Sequence, residues 1–214
     1  MSSEADKRAA AAYAARLVED GMRVGLGTGT TVAPLLPALA ARGLTLRCVS
    51  TSPATEAAAL ELGLAVEPFD EFTELDIAID GADQIGPGPW LVKGGGRAHT
   101  REKIVAAAAD RFVVIADSTK VVEALTPPVP VELLAYGLKA TLHALGDAIV
   151  RLNAPPSPDA GVIADVHARF GDPAAHAAWL SQTPGVVDHG LFAPALVSDV
   201  LIARGDDVEH RTVA

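Results

Sequence analysis

Hydrophobic positions along the chain fall into short apolar runs separated by polar and glycine-rich breaks. "MRVGLG", "LTLRCVS", "LAVEP", "LDIAI" and "RFVVIA" read as short strands. Between them, the alanine-rich run 4–20, "TVAPLLPALAARG", "PATEAAALELG" and residues 101–110 carry helical patterning. Asp20-Gly21 ends the first helix, and Gly43 ends the second, which tolerates Pro34 near its start and Pro37 inside. Apolar strands alternating with helices predict βαβ units: an α/β fold with a mostly parallel, Rossmann-like sheet and helices on both faces.

From Thr126 the pattern changes, opening with "TPPVP" and containing the proline-rich loop "NAPPSPDAG". The segments "VELL", "YGLKATLHALG", "DAIVRLN", "GVIADVHARF", "DPAAHAAWLSQ" and "GVVDHGLF" read in order as strand, helix, strand, strand, helix, strand. Asp172-Pro173 supplies an N-cap and a first-turn proline for the second of these helices. The order βαββαβ is that of a smaller ferredoxin-like domain. A final hairpin, "ALVSDVLIARGDDVEHRTV", turns at Gly205-Asp206 and returns to the first domain. The expected division is therefore 1–126 with 194–214 as the Rossmann-like domain, and 127–193 as the smaller one.

Composition narrows the possible partners. With 214 residues, half of them hydrophobic, the chain can bury a substantial core, and an aromatic content of only 4% means that core is built from Ala, Val, Leu and Ile. The formal charge of −10, without a basic stripe, gives nucleic-acid binding little electrostatic support. An anionic ligand would need local focusing by a few cations, so Lys7, Lys93 and Lys120 become candidates. Cys48, the one cysteine, excludes an intrachain disulfide and reads as a buried structural thiol. The N-terminal "MSSEADKRAAAAY" has no apolar leader-like core and no stretch has membrane-span character, so the expectation is a cytoplasmic protein with no membrane partner.

The polar groups cluster where the predicted strands end. "RVGLG" runs into Thr28-Gly29-Thr30-Thr31, "RCVS" into Thr51-Ser52, "DIAI" into Asp80-Gly81-Ala82-Asp83, and "FVVIA" into Asp117-Ser118-Thr119-Lys120. Carboxyl ends of parallel strands line the crevice in which doubly wound folds bind ligands. "GLGTGTT" is not a dinucleotide fingerprint, because Thr30 and Thr31 stand where its later glycine is needed. Its glycines and hydroxyls suit a phosphate monoester at a helix start, or simply a tight strand–helix turn with a threonine cap. "DGAD" sets two carboxylates on a turn that Gly81 can tighten, suited to metal, sugar hydroxyls or proton transfer. The six histidines are scattered without helical i,i+4 pairing, which leaves a metal short of ligands.

The stretch "LVKGGGRAHTREKIV" places Lys93 before Gly94, Gly95 and Gly96, with Thr100 as an expected N-cap and Glu102 in the first helical turn. A carboxylate there is either a base near a substrate carbon or a complement to the helix dipole. Lys93 beside it can supply positive charge where an oxyanion develops.

Taken together, "GLGTGTT", "DGAD" and "KGGGRAHTREKIVA", supported by "ADSTK", "PVPVEL" and "PGVVDHGLF", resemble ribose-5-phosphate isomerase, type A, over nearly the whole chain. The resemblance implies interconversion of ribose 5-phosphate and ribulose 5-phosphate through an enediolate, with no metal and no organic cofactor, by a homodimer or homotetramer. It implies Glu102 as the base moving a proton between C2 and C1, Asp80 and Asp83 at the sugar hydroxyls and ring opening, and Lys93 at the carbonyl oxygen. Thr28, Gly29, Thr30 and Thr31, with Lys120 and Lys7, would hold the phosphate end, and Gly81, Ala82, Gly94, Gly95 and Gly96 would line the sugar. Three features depart from the family: Gln84 replaces a glutamate after the aspartate turn, Arg97 and His99 stand where small or apolar residues are usual, and "NAPPSPDAG" is short. Arg97 and His99 are expected to point to solvent, the alternative being that either adjusts phosphate affinity or the pKa of Glu102. Alternatives are a non-catalytic sugar-phosphate sensor, or a deaminase or CoA transferase of the same fold group; neither enzyme explains "KGGG" together with "TREK".

Overall fold

A computed structural model describes residues 4–213. The chain runs through α1 (Glu4–Ala15), β1 (Arg23–Leu26), α2 (Leu35–Ala40), β2 (Arg47–Ser50), α3 (Pro53–Glu61), β3 (Ile77–Gly81), β4 (Gln84–Ile85), β5 (Leu91–Val92), α4 (His99–Ala107) and β6 (Phe112–Asp117). It continues through β7 (Val129–Leu133), α5 (Leu138–Leu145), β8 (Ala148–Val150), β9 (Val162–Val166), α6 (Pro173–Gln182), β10 (Val186–His189), β11 (Leu191–Phe192), β12 (Asp199–Arg204) and β13 (Asp207–Thr212). The fold is α/β, with a mostly parallel sheet, as the apolar pattern predicts.

Two compact units emerge. The first comprises residues up to Ala82, Arg101–Val121 and Pro194 onward; the second comprises Asp83–Thr100 and Val122–Ala193. The sequence division kept 83–100 with the first domain, whereas here those residues group with the second unit, and the expected bounds at 1 and 214 lie outside the described residues. The physical reason is a small sheet of order β11-β5-β4, in which Leu91–Val92 pair antiparallel with both Leu191–Phe192 and Gln84–Ile85. Two-residue strands carry too little periodicity to be read from sequence.

The first unit is built on a six-stranded sheet of order β13-β12-β6-β3-β1-β2, parallel except for β13. Its central strands β3 and β6 are buried at every position and are apolar except for Asp80 and Asp117 near their carboxyl ends. Helix α1 offers Ala10, Ala11, Ala14 and Ala15 as its buried face, and these small side chains let it lie close to β6 and β12. The helix α2 starts at Leu35, later than the pattern suggested, and buries Leu35, Leu36 and Leu39. Pro37 is accommodated because the amide it lacks belongs to the first turn, where no intrahelical acceptor exists. "LAVEP" does not form a strand; it makes one parallel bridge, Val66 to Cys48, before Pro68 ends the pairing. Cys48 is wholly buried, and burial pushes its thiol up to about 12, consistent with a structural role.

The second unit contains the ferredoxin-like arrangement. Its four-stranded antiparallel sheet has the order β10-β7-β9-β8, and its core joins Val129, Val131, Leu133, Ala164 and Val166 to Leu145 and Leu180. Asp172 caps α6 as expected, its carboxylate accepting from the Ala174 amide at 3.0 Å.

Candidate active site

Strand order decides where a site can form in the first unit. From β1 the chain proceeds to β2 on one side, and from β3 to β6 on the other, so the order reverses between the neighbours β1 and β3. Loops leaving these strands part in opposite directions and open a crevice at their carboxyl ends. Those ends carry Gly27–Thr31 and Asp80.

Asp80 is the last but one residue of β3 and is 3% exposed. Its Oδ1 accepts from the amides of Gly81 at 2.7 Å and Thr28 at 3.1 Å, so one carboxylate oxygen ties the two strand ends together. Gly27 makes this possible, because a Cβ at that position would stand 2.1 Å from the Asp80 carboxyl carbon. The turn expected at Gly81 is absent: Gly81 ends the strand with ordinary backbone geometry. Around the same loop, Thr28 and Thr51 share a hydroxyl hydrogen bond at 2.7 Å, and the Thr55 hydroxyl donates to the Gly27 carbonyl at 3.0 Å. Gly29 has φ +110° with open space where a side chain would be, and Thr30 is exposed beside it. Lys7, arriving from α1, donates to the Thr30 hydroxyl at 3.0 Å and to Glu4 at 2.9 Å. The structure thus brings Lys7 to the threonine loop across 23 residues of sequence.

Glu102 lies in the first turn of α4 and is 4% exposed. One turn further, Val105 faces β1, where a Cβ on Gly25 would stand 2.5 Å from its Cγ1. Gly25 therefore serves the approach of the helix that carries Glu102, a different task from that of Gly27. Thr100 is not the N-cap, since α4 begins at His99; its hydroxyl donates instead to the buried carboxylate of Glu132. At the end of β6, Asp117 is wholly buried and accepts from the Thr119 amide at 2.9 Å, shaping the short turn Ser118–Lys120 that presents Lys120.

In the second unit, Lys93 follows β5 and is 3% exposed, with its ammonium 5.4 Å from the centre of the Phe192 ring. The Lys93 amide donates to the Gly190 carbonyl at 2.8 Å, and Gly190 must be glycine because a Cβ would meet the Lys93 carbonyl at 2.0 Å. Gly94 has φ +114° and packs against Pro130 and His99. Asp83 is exposed, and its Oδ2 accepts from the Gly95 amide at 2.8 Å. Gly95 and Gly96 are exposed. Gln84 uses its whole amide on the Thr126 backbone, donating to its carbonyl and accepting from its N–H, both at 2.9 Å. Neither expected solvent residue behaves as one: His99 is fully buried, and Arg97 is half-buried at φ +66° with its guanidinium on the Pro155 carbonyl at 3.0 Å. Sequence reasoning also missed Glu132, Arg151 and Asp165, whose partners are distant in sequence.

Comparison with known proteins decides what this arrangement belongs to. The family model described as ribose 5-phosphate isomerase A (phosphoriboisomerase A) matches residues 47–207. Ribose-5-phosphate isomerase A of Caulobacter vibrioides is 43% identical over 97% of this chain and 98% of its own. The chain belongs to the ribose 5-phosphate isomerase A family.

Solved structures of the family agree over the whole fold. Ribose 5-phosphate isomerase A from Methanocaldococcus jannaschii has a TM-score of 0.91 at 33% identity, covering 99% of this chain and 100% of that one. A D-ribose-5-phosphate isomerase in complex with phospho-erythronic acid has a TM-score of 0.92 at 31% identity, again covering 99% and 100%. Among the described residues no helix is long and apolar enough to cross a membrane, and no three His, Cys, Asp or Glu side chains group as metal ligands would.

Proposed function

We propose that this protein interconverts D-ribose 5-phosphate and D-ribulose 5-phosphate by proton transfer through an enediolate. The observation that carries the reading is Glu102, a buried carboxylate in the first turn of a helix laid on β1 by the absence of a side chain at Gly25. A base on a packed helix is held still, as abstraction from carbon requires.

In this reading the open-chain aldose loses its C2 proton to the Glu102 carboxylate. The electrons of that bond form the C1–C2 double bond while the C1 carbonyl oxygen takes up negative charge and then a proton. Lys93 stabilises that charge. Glu102 returns its proton to C1 as the C2 hydroxyl gives up its own and becomes the ketone. Asp80 and Asp83 hold sugar hydroxyls and assist ring opening. Thr28, Gly29, Thr30 and Thr31 with Lys7 and Lys120 take the phosphate, and Gly81, Ala82, Gly94, Gly95 and Gly96 lie along the sugar. The Lys7–Thr30 hydrogen bond supports the phosphate assignment, because it sets a cation on a loop of small residues. No step calls for a metal or an organic cofactor.

The reading carries with it a cytoplasmic homo-oligomer. Exposed Leu134, Tyr136 and Leu152 on the second unit support self-association, which light scattering of the purified protein checks.

The test is proton NMR with ribose 5-phosphate in D2O containing EDTA. Conversion with deuterium entering at C1 or C2 is the expected result. Binding without conversion would overturn the reading in favour of a sugar-phosphate sensor.

A further inference from the structure

The peptide unit joining Gly94 and Gly95 is gripped at both ends. Its N–H, from Gly95, donates to Asp83 Oδ2 at 2.8 Å. Its C=O, from Gly94, accepts from Arg151 Nη1 at 2.9 Å, and the same nitrogen lies 3.4 Å from the Gly95 carbonyl. Arg151 is itself fixed, because its Nε and Nη2 form a two-pronged pair with Asp165 at 2.7 and 2.6 Å. A guanidinium is planar and offers several donors in a set fork, so a lysine could not serve both partners at once.

We infer that Arg151 is a positioning residue for Asp83 and for the glycine turn after Lys93. The inference rests on the isomerase reading, within which Asp83 and that turn meet the sugar. Three physical points carry it. Gly94 sits at φ +114°, so the turn has no local preference for one orientation of this peptide, and an outside group must set it. Positive charge on a carbonyl polarises the amide on the same plane and strengthens the hydrogen bond it gives to a carboxylate. Asp83 is exposed, and the Gly95 amide accounts for one of its oxygens, so loss of that donor frees the side chain to rotate.

A return contact supports the assignment. Arg97, from the turn itself, reaches the Pro155 carbonyl in the loop that follows Arg151, and does so at φ +66°, a conformation unusual for a side-chain-bearing residue. The glycine turn and the segment from Arg151 to Pro155 therefore hold one another by arginine-to-carbonyl bonds running in opposite directions.

The experiment combines Arg151→Met with Asp165→Asn, which leaves Arg151 in place but removes the pair that orients it. Steady-state turnover of ribose 5-phosphate and the amide chemical shift and exchange rate of Gly95 in the free protein are both measured. The expected result is a tenfold or greater loss of kcat in Arg151→Met with KM changed less than threefold, and a smaller loss in Asp165→Asn. Millimolar guanidinium should restore part of the activity of Arg151→Ala, an outcome that a purely structural role would not give. The Gly95 amide should shift upfield and exchange faster in both Arg151→Met and Asp165→Asn. Unchanged kcat, or an unchanged Gly95 amide in a folded variant, overturns the inference. Absence of turnover by the unmodified protein overturns the isomerase reading alone, since the amide measurement still judges Arg151. If Arg151→Met does not fold, Asp165→Asn carries the same two readouts.

Discussion

The two units hold their candidate residues by different means. In the first, Asp80 and Glu102 sit on regular elements, a five-residue buried strand and a nine-residue helix, and Thr28 lies in the loop two residues past the end of β1. Rigid regular structure places them, and glycines at 25 and 27 remove whatever would stand in the way. In the second, Asp83, Lys93 and the glycine turn flank strands of two residues, and their placement depends on individual polar contacts, from Gly190 to the Lys93 amide and from Arg151 to the Gly94 carbonyl. Position is inherited from the sheet in one unit and assembled bond by bond in the other. A single substitution should therefore act through chemistry or steric overlap in the first unit, and through loss of orientation in the second.

Glu102→Gln is the most severe test of that contrast. It keeps the shape and removes the proposed base, so kcat should fall on the order of 10³-fold while binding of a phosphorylated sugar acid, followed by calorimetry, stays within a few-fold. Near-normal turnover would take the base role from Glu102. Lys93→Ala should follow, with kcat lowered about 10²-fold and KM little changed, because in the proposed mechanism the charge it meets develops in the transition state. A change confined to KM would contradict that role.

Gly27→Ala probes steric placement. The new Cβ would overlap the Asp80 carboxylate at 2.1 Å, so the strand ends must part or Asp80 must turn away. Thermal unfolding should show a loss of about 1–3 kcal/mol, as overpacking usually does, accompanied by a fall in activity. Gly29→Ala, where space is open but φ is +110°, should instead cost activity less and act mainly through backbone strain.

Acidification should separate the units more gently. In the second unit His176 is buried against Phe170 and Trp179, and burial pushes its pKa below the usual histidine value. The unfolded chain then binds a proton that the folded chain refuses, so this stability is present above about pH 6.5 and is lost as pH falls toward the lowered folded value. In the first unit burial raises the Asp199 carboxyl, but hydrogen bonds from Arg111 and His210 outweigh it and hold it below the usual range. That contribution is present above about pH 4 and is lost only as pH falls through the still lower folded value. Hydrogen exchange between pH 7 and 5 should therefore show protection falling first around α6 and β10, and His176→Phe should remove the difference. Equal loss in both units would show that His176 does not set the order.

Much of the candidate site was legible because its signals are local. Glycine spacing, threonines and paired aspartates after apolar runs mark strand ends, and "KGGG" before "TREK" marks a turn entering a helix. Less legible was what each glycine is for: Gly25 faces a helix, Gly27 faces a carboxylate, and only Gly29 faces open space. The sequence pattern is the same in all three cases, since what a missing side chain makes room for lies on another element. His99 and Arg97 were misplaced in solvent for the same reason, as their types are polar while their surroundings are supplied from afar.

What the amino-acid sequence determined on its own is the alternation of apolar and helical runs, the ferredoxin-like order of the second half, and the residue types on which an isomerase depends. These follow from periodicities of two and 3.6 residues and from turn chemistry, which operate within a few positions along the chain. Tertiary structure alone decided that the order reverses between β1 and β3, that Lys7 meets Thr30, that residues 83–100 group with the second unit, and that Arg151 grips the peptide beside Lys93. Each of these joins groups far apart in sequence, and such contacts are selected by the simultaneous burial and hydrogen bonding of the whole chain rather than by any segment of it.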